Sequence, residues 1–255
     1  MIFDLIVPCF NPSPGWERTF VHHLHKLKIE ISKTNFLLFQ VVLINDGSFK
    51  NFHSKEIRFV KKTGIPIQVI ENCKNYGKGY SLRKGIELAN SSYIVYTDLD
   101  FPYGTESIVE ILMNLEKGYD IVLGARSSFE YYRQATLGRR LISKSLMLAN
   151  KHLLHLPFED TQAGIKGFNQ TGRNIFLSTT INRFLFDLEF VKIACSFPDI
   201  RIQSICVANN GSLLLSSFGF KTILIELINF IRILVKRNYV SGTKTNLAWD
   251  RPGGI

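Results

Sequence analysis

Short apolar runs that end in polar turns alternate with stretches of helical periodicity over the first 125 residues, and this alternation limits the possible folds more than any other feature. Ile2–Val7, Phe36–Ile44, Ile67–Glu71, Tyr93–Thr97 and Asp120–Leu123 read as strands. Between them, Gly15–Ile31 carries Phe20, Leu24, Leu27 and Ile31 on one helical face; His53–Lys62, Gly79–Leu88 and Glu106–Leu115 also read as helices. Strands separated by helices are joined by crossovers, so the expected fold is α/β, with a mostly parallel central sheet and helices on both faces. Ligands in such sheets bind beyond the carboxyl ends of the strands. Chemistry is therefore expected at the polar tails Cys9–Asn11, Asp46–Ser48, Asn72–Gly79, Asp98–Asp100 and Gly124–Arg126.

The second half is less regular. Leu137–Leu154 reads as a helix, Pro157–Gly164 as a loop, Ile165–Asn169 as a short strand, Arg183–Ala194 as a helix and Arg201–Val207 as a strand. Leu213–Arg237 is an apolar helical segment edged by Lys221, Arg232, Lys236 and Arg237. This divides the chain into a domain over 1–210, an amphipathic segment over 211–237 and a polar tail over 238–255. Hydrophobic residues make up 45% and charged residues 20%, a composition that supports a full core and excludes a disordered or fibrous chain. The uncharged stretch between Arg201 and Lys221 is interrupted by Gln203, Asn209, Asn210 and serines, which argues against a membrane span.

Lys and Arg exceed Asp and Glu by 31 − 21 = +10, but the positives are dispersed and no nucleic-acid-binding module accompanies them. No nucleic-acid partner is expected. The four cysteines form no C-x-x-C pair, which suits a reducing compartment. Asp4 and the lack of a basic leading segment make the N-terminus a first strand in this reading, not a signal peptide.

Asp98 and Asp100 lie two residues apart at the end of the fourth strand, where both can face one divalent cation on a diphosphate. An isolated D-x-D is equally two solvated turn acids, and only the strand-end position tips the reading toward a site. Gly77-Lys78-Gly79 opens a helix and suits a phosphate or is a plain turn and helix start; Leu82 replaces the glycine that a dinucleotide fingerprint needs. Arg126, Arg139 and Ser143 suit a second phosphate or form a solvated basic face. His22, His23 and His25 lack a carboxylate or cysteine partner and are not read as a metal site. Asp187 and Glu189 stand in an apolar helix and need water, a partner or a site.

In order along the chain, PCFN, INDGS, NYGKGYSLRKG, TDLD, GAR, DTQAGIKGF and RFLFDLEF resemble the family 2 glycosyltransferases of GT-A fold. The likeness extends over about residues 1–235 and is strongest to the dolichyl-phosphate mannosyl- and glucosyltransferase branch. The resemblance implies a metal-dependent, inverting transfer of a hexose from a UDP- or GDP-sugar to a polyprenyl phosphate. Pro8, Phe10 and Asp46 would cradle the nucleoside, Asp98 and Asp100 would hold Mg²⁺ or Mn²⁺, and Lys78 would lie near the donor. Arg126, Arg139 and Ser143 would hold the acceptor phosphate, and Gln162 and Asp187 would line the sugar site, Asp187 being the base for a hydroxyl acceptor. A saccharide acceptor in surface polysaccharide synthesis and a non-catalytic nucleotide-sugar-binding protein are the alternatives. A cytoplasmic location is expected, with 213–237 resting peripherally on the cytoplasmic face of a membrane or else packing on the core.

Overall fold

The computed structural model describes residues 1–126, 148, 153–158, 160–208 and 220–235. Seven strands form one sheet: β1 (Ile2–Cys9), β2 (Leu37–Asn45), β3 (Ile67–Glu71), β4 (Tyr93–Tyr96), β5 (Ile121–Arg126), β6 (Lys166–Phe168) and β7 (Ile202–Val207). Their order is β3-β2-β1-β4-β6-β5-β7. All neighbours are parallel except β6, which runs antiparallel to both β4 and β5. The helices are α1 (Trp16–Ile31), α2 (Ser54–Lys61), α3 (Lys78–Glu87), α4 (Glu106–Glu116), α5 (Gln170–Leu177), α6 (Phe186–Cys195) and α7 (Phe220–Val235).

The central strands β1, β2 and β4 are mostly apolar without alternation because both faces are covered. On one face Phe3, Leu5 and Val7 of β1 pack with Phe20, Leu24 and Leu27 of α1 and Ile108 and Ile111 of α4. On the other, Ile6, Val42 and Ile44 pack with Leu82 of α3, Phe176 of α5 and Phe186 and Phe190 of α6. Each such side chain contributes about 1.5–3 kcal/mol by leaving water. The acid inside β1 is accounted for: buried Asp4 accepts Asn90 N (2.8 Å), Ser91 N (3.1 Å) and Ser91 Oγ (2.7 Å), fixing the turn into β4.

The sheet corrects three sequence expectations. β1 continues through Pro8 to Cys9, because β4 pairs only with Phe3–Ile6 and leaves that side of β1 open where proline lacks its N–H. β5 continues through Gly124 and Ala125 to Arg126, held by its parallel ladder with β7. α5 was not expected at all; Asn169 caps it, its Oδ1 accepting Thr171 N (2.9 Å) and Gly172 N (3.2 Å). The Leu137–Leu154 helix expectation falls almost wholly outside the described residues, as do Arg139 and Ser143.

Candidate active site

The carboxyl ends of β1, β2 and β4 meet the loops before α3 and β6, and the charged residues converge there. β4 delivers Thr97, then Asp98, Leu99 and Asp100, with Phe101 in the left-handed region at φ 47°. Phe101 anchors this turn by burying its ring against Phe20 (centroids 5.9 Å) and stacking on His23 (5.0 Å, 13°). His23 thus serves packing. Asp98 Oδ1 lies 2.5 Å from Lys78 Nζ at the start of α3. Burial works against the Lys78 ammonium, but Asp98, Asp187 and Asp100 outweigh it and raise its pKa. Burial and the neighbouring charge of Asp98 raise the pKa of Asp100. Two hard oxygen donors, one destabilised by the other, fit a divalent cation.

The loop Asp160–Gly164 closes over this pair. Asp160 takes the Arg126 guanidinium in two parallel bonds (Nε to Oδ2 2.7 Å, Nη2 to Oδ1 2.9 Å) and also accepts Arg126 N and Gln162 N, each at 2.9 Å. Burial pushes its carboxyl upward, yet the Arg126 fork and these N–H groups hold it below the ordinary range. Gln162 therefore stands on a fixed main chain, and the Arg126 guanidinium is engaged by Asp160. Ala163 is buried, and a Cβ on Gly164 would lie 2.4 Å from Asp98 Oδ2 and 3.0 Å from Lys78 Nζ. Only glycine lets the loop approach the carboxylate so closely.

Asp46, expected to cradle the nucleoside, is engaged by the protein's own loop in this structure. It is 3% exposed, and its oxygens accept Tyr76 N (3.0 Å), Gly77 N (2.8 Å) and Asn72 Nδ2 (3.0 Å). What it does in this structure is hold the Asn72–Gly77 loop. The phosphate cradle expected at the start of α3 is likewise filled. Gly79 N (2.8 Å) and Tyr80 N (3.3 Å) both donate to Asn182 O, so those N–H groups serve the protein's own loop. That loop is fixed from behind by Glu189, which accepts Thr180 N, Thr180 Oγ1 and Ile181 N at 2.8 Å each.

Asp187, at the first turn of α6, is 3% exposed. Its Oδ1 meets Lys166 Nζ at 2.7 Å and accepts the Tyr96 hydroxyl. At the opposite lip, Phe10 and Phe49 are 46% and 70% exposed and meet edge to face at 6.3 Å. Their turns are joined by Asn11 N to Ser48 Oγ (2.8 Å) and by Asn11 Oδ1 accepting Phe49 N (3.0 Å). Pro8 lies half-buried below them.

The model of glycosyl transferase family 2 matches residues 4–178. The chain belongs to glycosyl transferase family 2. Among curated relatives, the Drosophila melanogaster dolichyl-phosphate beta-glucosyltransferase is 27% identical over 204 residues, 75% of this chain and 62% of the relative. The human dolichyl-phosphate beta-glucosyltransferase is 25% identical over 215 residues, 80% of this chain and 66% of the relative. An undecaprenyl-phosphate 4-deoxy-4-formamido-L-arabinose transferase of Pseudomonas syringae is 26% identical over 133 residues, covering 52% of this chain and 38% of that protein. The chain thus spans less than two thirds of the length of these relatives.

The GT-A fold is shared with mannosyl-3-phosphoglycerate synthase of Rubrobacter xylanophilus (TM-score 0.65, 11% identity, 93% of this chain and 74% of that one). It is shared also with glucosyl-3-phosphoglycerate synthase of Mycobacterium tuberculosis, solved with Mn²⁺, UDP and phosphoglyceric acid (TM-score 0.59, 10% identity, 91% and 76%). The sequence reading of this family 2 chain did not single out Lys166, Tyr96, Asp160 as the partner of Arg126, or Phe49. A lysine inside a short strand reads as surface, and Phe49 reads as one residue of a turn. The DTQAGIKGF segment did place Asp160 and Lys166 within one motif, which was the available signal.

Proposed function

We propose that this family 2 glycosyltransferase moves a hexose from a UDP- or GDP-sugar to a polyprenyl phosphate, inverting the anomeric carbon. The observation that carries this reading is the Asp98–Asp100 pair at the end of β4, with Lys78 on Asp98 and the glycine of the 160–164 loop against it. Asp98 and Asp100 would hold Mg²⁺ or Mn²⁺. Among the described residues no third His, Cys, Asp or Glu joins them. A bound divalent cation neutralises charge on the leaving nucleoside diphosphate. Lys78 adds a cation beside the same carboxylate.

Phe10 and Phe49 offer faces for the nucleobase. Stacking of this kind contributes roughly 1–3 kcal/mol per base. Phe49→Ala should therefore raise KM for the donor about tenfold with kcat little changed, measured by steady-state kinetics. Asp187 Oδ1 is engaged by Lys166 and Tyr96, an arrangement that suits an acceptor phosphate already ionised and needing no base. Arg139→Ala should raise KM for a polyprenyl phosphate about tenfold and leave KM for the donor unchanged. An unchanged acceptor KM would favour a saccharide acceptor.

Membrane contact is part of the proposal. Leu224, Leu227, Ile228, Ile231, Leu234 and Val235 form an exposed stripe along α7, and Arg232 lies beside it. No helix among the described residues is long and apolar enough to cross a membrane. Such a stripe supports a peripheral position on the cytoplasmic face, where an anionic lipid acceptor would be met. The test of the whole reading is thermal melting with UDP, GDP and their sugars, with Mn²⁺ or with EDTA. The expected result is a metal-dependent rise in Tm with one diphosphate. No rise with any of them would remove the nucleotide-sugar site.

A further inference from the structure

The buried cluster behind the carboxylates is more than a satisfied core charge. Lys166 is 0% exposed, an unusual place for an ammonium, and it has two partners on different elements. Its Nζ donates to Ala163 O at 2.8 Å and lies 2.7 Å from Asp187 Oδ1. The Tyr96 hydroxyl donates to the same Asp187 oxygen, and Lys166 Nζ sits 5.7 Å from the Tyr96 ring centroid. Both donors therefore hold Oδ1, and among the described residues Asp187 Oδ2 takes none.

Each partner leads to the site. Ala163 stands between Gln162 and Gly164, and a Cβ on Gly164 would meet Asp98 and Lys78. Tyr96 ends β4 two residues before Asp98. Asp187 opens α6, which also carries Glu189, the carboxylate that fixes the Thr180–Ile181 main chain. The charge of Asp187 is felt at Lys78, where it helps to keep the ammonium protonated. One ammonium thus joins the 160–164 loop, β4 and α6 beneath the reacting groups.

We propose that Lys166 is a positioning residue for sugar transfer: with Tyr96 it fixes Asp187 through Oδ1 so that Oδ2 is the oxygen presented to the substrates, and through Ala163 it sets the loop carrying Gln162. This rests on the glycosyltransferase reading above. It concerns the sugar and acceptor side of the site; Phe10 and Phe49 lie on other elements, and Asp98 and Asp100 follow Tyr96 in the turn beyond β4. A misplacement of about 1 Å costs on the order of 10²-fold in rate. Loss of Lys166 should therefore reduce kcat and leave nucleotide binding in place.

The test compares wild type, Lys166→Met and Tyr96→Phe by thermal melting, by titration with UDP or GDP in the presence of Mn²⁺, and by steady-state transfer from the matching sugar nucleotide. A folded Lys166→Met with kcat down about 100-fold and diphosphate Kd within about threefold supports the inference. A kcat within threefold of wild type would overturn it. Equal loss of kcat and of diphosphate affinity would also overturn it, since Lys166 would then merely build the site. Lys166→Met leaves a buried carboxylate with one donor and can fail to fold. In that event Tyr96→Phe decides, because it keeps the ring and the ion pair and removes one donor from Oδ1. A tenfold fall in kcat with unchanged Kd supports the inference, and a kcat within twofold overturns it. If wild type binds neither diphosphate, the functional reading itself fails and takes this inference with it.

Discussion

Asp98→Asn should lower the transfer rate by about 10³-fold, the upper end of what one preorganised charge-stabilising group contributes. The substitution keeps the shape of the β4 turn, whose stability comes from Phe101 packed on Phe20 and His23 and not from the carboxylate. It also leaves Lys78 without its closest counter-charge. The metal-dependent rise in Tm with nucleoside diphosphate should disappear, while the far-UV spectrum stays native. A companion effect lies at Asp100. Its pKa is raised in the folded protein, so the folded state binds its proton more tightly than the unfolded chain does, and Asp100 lowers stability as pH rises through that window. Asp98→Asn removes the neighbouring charge and should bring the Asp100 pKa down. Melting curves as a function of pH, compared between wild type and Asp98→Asn without divalent metal, check both signs.

Asp46→Ala should be strongly destabilising. The carboxylate is buried and accepts two main-chain N–H groups and the Asn72 amide. Orphaned buried donors cost about 1–3 kcal/mol each, so a loss on the order of 4 kcal/mol is expected. For a chain of this size that is roughly 8–16 °C in Tm. The loop released is the one that leads into Lys78, so diphosphate affinity should fall with stability. Gly47 contributes to the same turn at φ 72°, where an added Cβ would lie 2.3 Å from the Lys74 carbonyl carbon. Asp46→Asn, which keeps one acceptor oxygen, should lose less than Asp46→Ala.

Much of the fold could be read from the sequence because strands buried on both faces are written as unbroken apolar runs. Ile67–Glu71 was placed without error, and β1, β2 and β4 to within a residue or two. β5 was cut short at Leu123 because Gly124 and Ala125 look like a turn, and what extends the strand is β7, far along the chain. α5 is only eight residues long, and its one clear signal was the Asn169 cap. Asp98, Asp100, Lys78 and Asp187, which the structure brings together, could be singled out because strand ends and misplaced acids are visible in sequence. The partners that Asp46 has in the structure were not legible: they include main-chain N–H groups 30 and 31 residues away, which no side-chain pattern reports. The open phosphate cradle expected at α3 failed for a similar reason, since the carbonyl of Asn182 that fills it arrives from a distant loop. Lys166 stayed hidden because burial of a lysine is decided by the partner carboxylate across the fold.

The central claim is that a sugar passes from a nucleoside diphosphate to a lipid phosphate. The direct measurement is incubation of the full chain with Mn²⁺, a radiolabelled UDP- or GDP-hexose and polyprenyl phosphate in detergent, followed by solvent extraction. The account predicts label in the lipid phase that depends on the divalent ion, is lost on adding EDTA, and is lost in Asp98→Asn. Label that never enters the lipid phase, while the same sugar nucleotides bind with metal, would contradict it and assign the acceptor to another class.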